Sequence, residues 1–430
     1  MHIIASLAGN GFHPAAWRAA SRAAFPTGRY FQDLAKTAER GKLDAVLLGE
    51  PIGGRRLRSS GRVNGLQIDA LPLLGSLIAG TQQIGLGATW AVDYTEPYNV
   101  ARVFATLDHL AGGRTAWIVG LFGGADLETN FRHAKCAPDL DAYCSRAVEF
   151  IDLTKKLWDS WEDGGFLLDV PSGRFADPAR VHPVNHDGDF FTVRGPLNVP
   201  RPPQGTPPLI QCDPGTDAGR LLAAKTADVM LLTCATSTAA QQIYRDMKLL
   251  TASQNRSPES IRILANLTPT LASSETEARR LADELDALMA PHLQCAIVED
   301  WLGREAPDAG ARAEATLASL WPQRAHELPA RGLNGGQTLR DASRRILDLR
   351  SGLRFTGTPE QLVDLMETWI QQKCCDGFNI RPAVLPRDLD LFVEKVIPLL
   401  QARRLFRADY AGDTLREHLR LERFDSRYAA

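Results

Sequence analysis

No window of this chain approaches the roughly 20 consecutive apolar residues that a membrane-spanning helix needs. No long run of one charge sign appears either, and 49 basic against 51 acidic residues leave a net charge of −2. Nucleic-acid binding usually wants a concentrated basic face; the short RRLR cluster at 55–58 reads as a solvated loop instead. The opening MHIIASLAGNGFH has no basic start and too short an apolar stretch for a secretory signal. The seven cysteines are an odd number without metal-like spacing, and only Cys374 and Cys375 are adjacent. Reduced thiols in a cytoplasmic protein are the expectation. No GxGxxG turn follows the first β-prone run, so the usual mark of an open dinucleotide-binding sheet is missing. Internal repeats and low-complexity tracts are absent as well.

What is present is an alternation. Short apolar runs at 2–7, 43–49, 83–89, 115–121, 208–212, 228–232, 261–267 and 377–380 read as strands. Amphipathic patterns separate them, at 29–41, 69–80, 97–110, 140–160, 216–225, 238–253, 275–290 and 359–373. Apolar strands that do not alternate with polar residues belong to a parallel sheet covered on both faces. Eight such units predict a closed (β/α)8 TIM barrel. At 430 residues, with 44% hydrophobic and 23% charged, the chain fits a single barrel domain over 1–430. Two segments, 163–208 after strand four and 291–356 after strand seven, are too long for ordinary connections, and a polar, Gly- and Arg-rich loop at about 50–66 is a further insertion. Segment 291–356 is expected to be irregular, and a helical tail should end the chain.

A barrel of this kind carries its active site at the C-terminal ends of the strands. That rule selects His13, Glu50, Thr89 to Ala91, the stretch after Val119, Cys212 to Thr216, Thr233 and Asn379. The segment CDPGTDAGRLLA (212–223) is a strand end, a glycine turn and a helix start, with Thr216 or Asp217 as its cap. The N–H groups of such a start can hold a phosphate, although an ordinary capped connection has the same composition. His13 is a candidate acid or base near neutral pH, with a structural histidine bonded to a carbonyl as the alternative. Glu50 is read as an orienting or acid–base carboxylate, or as an exposed loop residue. VHPVNHDGDFF (181–191) carries His182, His186, Asp187 and Asp189, but an Asp-Gly hairpin is the reading taken over a metal site.

Five segments carry a family resemblance: IGLGATWAVDYTEPYNVARVFATLDHLAGGR (84–114), EFIDLTKKLWDSWED (149–163), GPLNVPRPPQGTPPLIQC (195–212), GTPEQLVDLMETW (357–369) and RLFRADYAGDTLREHL (404–419). They resemble the FMN-using large subunits of the bacterial-luciferase-like monooxygenases. The branch is that of nitrilotriacetate monooxygenase, dibenzothiophene sulfone monooxygenase and the pristinamycin synthase large subunit. The resemblance implies a TIM barrel and a reaction in which reduced FMN, delivered by a separate flavin reductase, reacts with O2 to oxygenate a small organic substrate. It also implies a homodimer or higher homo-oligomer. By resemblance Gly215 and Thr216 hold the FMN phosphate, Thr89 and Glu50 face the flavin, and Asn99 stands where relatives often have His. A phosphate-binding Tyr of the family aligns with Cys144, one position from Tyr143. Ala91 and Ile118 replace hydrogen-bonding residues, and Asp213 adds negative charge beside the expected phosphate. These departures keep two other readings open: a flavin or deazaflavin oxidoreductase without oxygen insertion, and a flavin-free barrel acting as a partner subunit. The apolar fourth-strand end suits a less charged substrate, whereas the arginines in 55–62 suit an acidic one.

Overall fold

The computed structural model describes residues 1–19, 27–49, 68–121, 140–302, 313–321, 328–329 and 332–429. Its strands, in chain order, are β1 (His2–Leu7), β2 (Ala45–Leu48), β3 (Gly85–Ala91), β4 (Thr115–Gly120), β5 (Phe166–Asp169), β6 (Arg174–Ala176), β7 (His186–Asp187) and β8 (Thr192–Val193). They continue with β9 (Leu209–Cys212), β10 (Val229–Leu232), β11 (Arg262–Leu271), β12 (Leu353–Gly357) and β13 (Gly377–Ile380). Eight of them, β1, β2, β3, β4, β9, β10, β11 and β13, pair in that order, every pairing parallel, and β13 returns to β1 through His2↔Gly377. The result is the closed (β/α)8 barrel that the alternation predicts.

Because strand side chains alternate, each barrel strand has an inner and an outer row. Ile4, Ala45, Leu47, Ala116, Ile118, Ile210, Val229, Leu231 and Leu264 form one apolar cluster inside the barrel. The intervening residues, such as Ile3, Val46, Leu86, Met230, Ile263 and Phe378, pack outward with helical residues including Phe31, Leu34, Leu74, Leu362 and Met366.

The N-terminal floor of the barrel is plugged by the end of the chain. Leu415, Leu419 and Leu421 join the inner cluster, each burial contributing about 1.5–3 kcal/mol. Gly85 makes room for this plug, since a Cβ there would lie 2.4 Å from the Leu415 side chain. Arg416 fastens the plug through a 3.1 Å ion pair with Asp228, both side chains nearly fully buried.

Two of the long segments have structure of their own. Residues 163–208 carry the antiparallel hairpins β5–β6 and β7–β8, the second of which matches the Asp-Gly hairpin reading of HDGDFFTV. The described residues of 291–356 are not irregular as expected. They contain helices Pro291–Leu302 and Leu339–Ser351 and the strand β12, which pairs only with the overhanging end of β11, Leu267 to Leu271. The arginines of LRDASRRILDLRS do not oppose a helix. Arginine is a good helix former, Thr338 caps the start, and Leu339, Ala342 and Ile346 bury one face.

Candidate functional site at the barrel mouth

Toward the C-terminal ends of the strands the inner row changes character. Above the apolar layer stand Ser6, Thr89, Cys212, Thr233, Asn266 and Asn379, all small or polar. Four of them form one chain of hydrogen bonds across four strands. Ser6 Oγ donates to Asn379 Oδ1 at 3.0 Å, Asn379 Nδ2 to Asn266 Oδ1 at 2.8 Å, and Asn266 Nδ2 to Thr233 Oγ1 at 2.9 Å. Asn266 and Asn379 are buried, so the chain satisfies amides whose burial would otherwise cost free energy. Thr89 Oγ donates to the Leu48 carbonyl at 3.3 Å and is buried on the facing strand. The strand-end rule finds Thr89, Thr233 and Asn379. Ser6 and Asn266 escape it because they lie inside β1 and β11, although Asn266 is the one amide in the run IRILANL and a two-residue step from inward Leu264.

The phosphate-type loop follows β9. Gly215 has φ +68°, a conformation that favours glycine, and a Cβ at this position would meet open space. Thr216 is the N-cap of helix Asp217–Thr226, its Oγ accepting from the Gly219 N–H at 3.3 Å. The first-turn N–H groups beyond it have no partner within the helix. Asp213 is not a loose negative charge in this loop. Its carboxylate accepts from Arg220 Nε at 3.1 Å and Nη2 at 3.2 Å, a fork that offsets the charge. It also accepts the Gly215 N–H at 3.0 Å, which pins the turn.

The other candidates are placed as follows. His13 is buried, and both ring nitrogens are engaged: Nδ1 accepts from the Ala15 N–H at 3.1 Å and Nε2 lies 2.9 Å from Asp286 Oδ1. Asp286 also accepts from Arg344 Nε at 2.7 Å. Burial raises the Asp286 carboxyl, but the hydrogen bonds from His13 and Arg344 outweigh it and hold the group below its ordinary value. His13 thus ties the loop after β1 to helices Glu275–Ala287 and Leu339–Ser351. Asn99 sits exposed in the first turn of helix Pro97–Leu110, its amide oxygen 3.5 Å from Arg102 Nη2. Tyr143 and Cys144 are both buried near the start of helix Leu140–Asp159, and burial, then Asp141, raises the Cys144 thiol. Ile118 belongs to the packed inner layer, while Ala91 lies buried at the end of β3. Glu50 and the arginines of 55–62 lie outside the described residues. His182 and His186 bond different carboxylates, Glu162 at 2.6 Å and Glu149 at 3.1 Å.

This geometry suits a flavin mononucleotide. The Gly215–Thr216 turn and the following helix start offer amides to a phosphate, and the polar strand ends offer hydrogen-bonding groups to a flat polar ring.

A family model described as luciferase-like monooxygenase matches residues 10–373. N-acetyl-S-(2-succino)cysteine monooxygenase of Bacillus subtilis (strain 168) is 39% identical, covering 98% of this chain and 97% of that protein. Nitrilotriacetate monooxygenase component A of Aminobacter aminovorans is 35% identical, covering 96% of this chain and 95% of its own. Among solved structures, riboflavin lyase with modified FMN and riboflavin superposes with a TM-score of 0.82 at 25% identity, covering 97% of this chain and 95% of that one.

Proposed function

Since this chain belongs to the luciferase-like monooxygenase family, we propose that it is the oxygenating component of a two-component system. A separate flavin reductase supplies reduced FMN, and this chain directs one oxygen atom from O2 into a small organic substrate. The observation that carries the reading is the convergence of a phosphate-suited helix start, after β9, with a buried chain of polar side chains at the same end of the barrel. The name of the relative from Aminobacter aminovorans, "component A", is in keeping with a divided system.

In this reading Gly215, Thr216 and the first-turn amides hold the FMN phosphate, with Tyr143 contributed by the adjacent helix Leu140–Asp159. Thr89 flanks the ring, and the role that the resemblance gives Glu50 falls outside the described residues. Bound reduced FMN supplies the activation of O2, which the side chains of this protein do not provide by themselves. The protein binds and orients the reactants and keeps water out, and the apolar layer of Ile4, Leu47, Ile118 and Leu231 beneath the polar chain seals the pocket from below. His13, with both nitrogens engaged, positions the loop after β1, and Asn99 lies in the first turn of the helix that follows β3. The working form in this reading is a homodimer or higher oligomer.

The test is an anaerobic titration with reduced FMN, then mixing with 18O2 and candidate substrates. Saturable binding and transfer of one labelled oxygen atom are expected. Failure to bind either reduced or oxidised FMN would remove the reading.

A further inference from the structure

Arg381 follows the last barrel strand directly, and its position continues the inward row of Gly377 and Asn379. Its N–H is bonded to the Leu267 carbonyl at 2.8 Å, so the residue is still part of the barrel wall. The guanidinium lies over the ring of Phe12, 4.4 Å from its centre, which fixes its plane. One nitrogen, Nη1, donates to main-chain carbonyls at the end of helix Leu339–Ser351, Arg350 O at 3.1 Å and Ser351 O at 3.5 Å.

Among the described residues no carboxylate pairs with this cation. Neighbouring arginines behave differently: Arg220 is forked onto Asp213, Arg344 pairs with Asp286 and Asp283, and Arg387 Nε pairs with Asp388. Burial lowers the Arg381 pKa, and Cys212, on the far side of the barrel at the end of β9, acts on it electrostatically. Cys212 is itself exposed to solvent, with burial among surrounding atoms raising its thiol and Arg381 pulling it down. A guanidinium held by one nitrogen keeps its remaining edge for a planar, bidentate anion.

We propose that Arg381 anchors a carboxylate of the substrate at the barrel mouth, which makes the substrate class an organic acid. This rests on the reading of the mouth as the substrate site. Capping of helix Leu339–Ser351 accounts for Nη1 alone, since both of those bonds come from that atom. The expected phosphate position is at the Thr216 helix start after β9, whereas Arg381 is held from the β13 wall by Phe12 and the Leu339–Ser351 helix.

Cys212 is a built-in reporter of the local potential. We would compare its alkylation by anionic iodoacetate and neutral iodoacetamide in the flavin-free protein, by mass spectrometry of its peptide. The ratio of the two rates cancels the reactivity of the thiol itself. Relative to free N-acetylcysteinamide, the iodoacetate to iodoacetamide ratio should be raised severalfold at Cys212. It should fall to the free-thiol value in R381Q and persist in R381K, which keeps the charge if the glutamine variant is perturbed. Succinate should slow the reaction of Cys212 in the parent protein and not in R381Q, while succinamide should have no effect. An unraised ratio in the parent protein, or the same ratio in R381Q, overturns the proposal. So does a loss of reduced-FMN affinity in R381Q with succinate protection intact, which would assign the arginine to the flavin. The alkylation needs no flavin, so failure of the FMN titration alone would remove the monooxygenase reading and leave the anion site standing.

Discussion

Asn379 on β13 donates its side-chain N–H to the side-chain oxygen of Asn266 on β11, at 2.8 Å, and both amides are buried inside the barrel. This bond is the middle link between Ser6 and Thr233, so it couples four strands at the level where a ligand would rest. Below it the barrel is filled with Ile, Leu, Val and Ala, which specify closure but offer nothing to a polar ligand.

Replacing Asn379 by leucine should therefore do two separable things. The Asn266 oxygen and the Ser6 hydroxyl lose their partners, at about 1–3 kcal/mol for a buried group left unpaired. Urea unfolding should report that loss. The affinity for reduced FMN should fall as well, because the side chains that shape the pocket lose their fixed orientation. Unchanged stability with unchanged flavin affinity would mean that the chain of amides is neither structural nor part of the pocket.

The Asp213–Arg220 fork makes a sharper prediction about the phosphate loop. Arg220→Gln leaves the Asp213 carboxylate without its counter-charge beside the proposed phosphate position. FMN affinity should drop about tenfold, equivalent to about 1.4 kcal/mol. Adding Asp213→Asn should restore most of it, since the repelling charge then goes too. An asparagine can still accept the Gly215 N–H, so the turn should survive. Fluorescence titration of the single and double variants checks this, and additive losses would show that the pair is not coupled.

These two sites differ in how far the sequence discloses them. GFNI (377–380) was legible as a strand with its bounds, because inward Asn379 and outward Phe378 and Ile380 are all buried. Helix Pro359–Gln371 was legible from the amphipathic pattern at 359–373, and the structure adds a capping box between Thr358 and Gln361. β12 was not, since it pairs only with the overhang of β11 and has no place in an eight-fold alternation. Asp213 looked like an intruding charge. Arg220 was visible seven residues away, but the fork depends on the turn at Gly215 bringing the helix back over the loop, a tertiary fact. His13 was visible as a titratable residue on a strand-end loop. Its partner Asp286 is 273 positions away, on a helix whose contact with that loop no local pattern announces.

The floor of the barrel predicts the response to acid. His2 is held down to about 3, by burial first and then by Arg262, the N-terminal ammonium and Arg407. His418, on the C-terminal plug, is held down to about 4, by burial first and then by Arg407. Both start from an ordinary value of 6.5. Below that value the unfolded chain takes up protons that the folded chain refuses, so unfolding gains relative to folding. The stabilising contribution is complete above about pH 6.5 and is lost as the pH falls toward about 4. Urea midpoints at pH 7.5, 6.0 and 5.0 should decline in the parent protein. His418→Gln removes one of the two titrating groups and keeps a side-chain N–H that can reach the Gly412 carbonyl, which His418 Nε2 contacts at 3.2 Å. Its midpoints should decline less steeply, by the share of one proton. A slope identical to the parent's would show that His418 is not a neutral, buried imidazole in the folded protein.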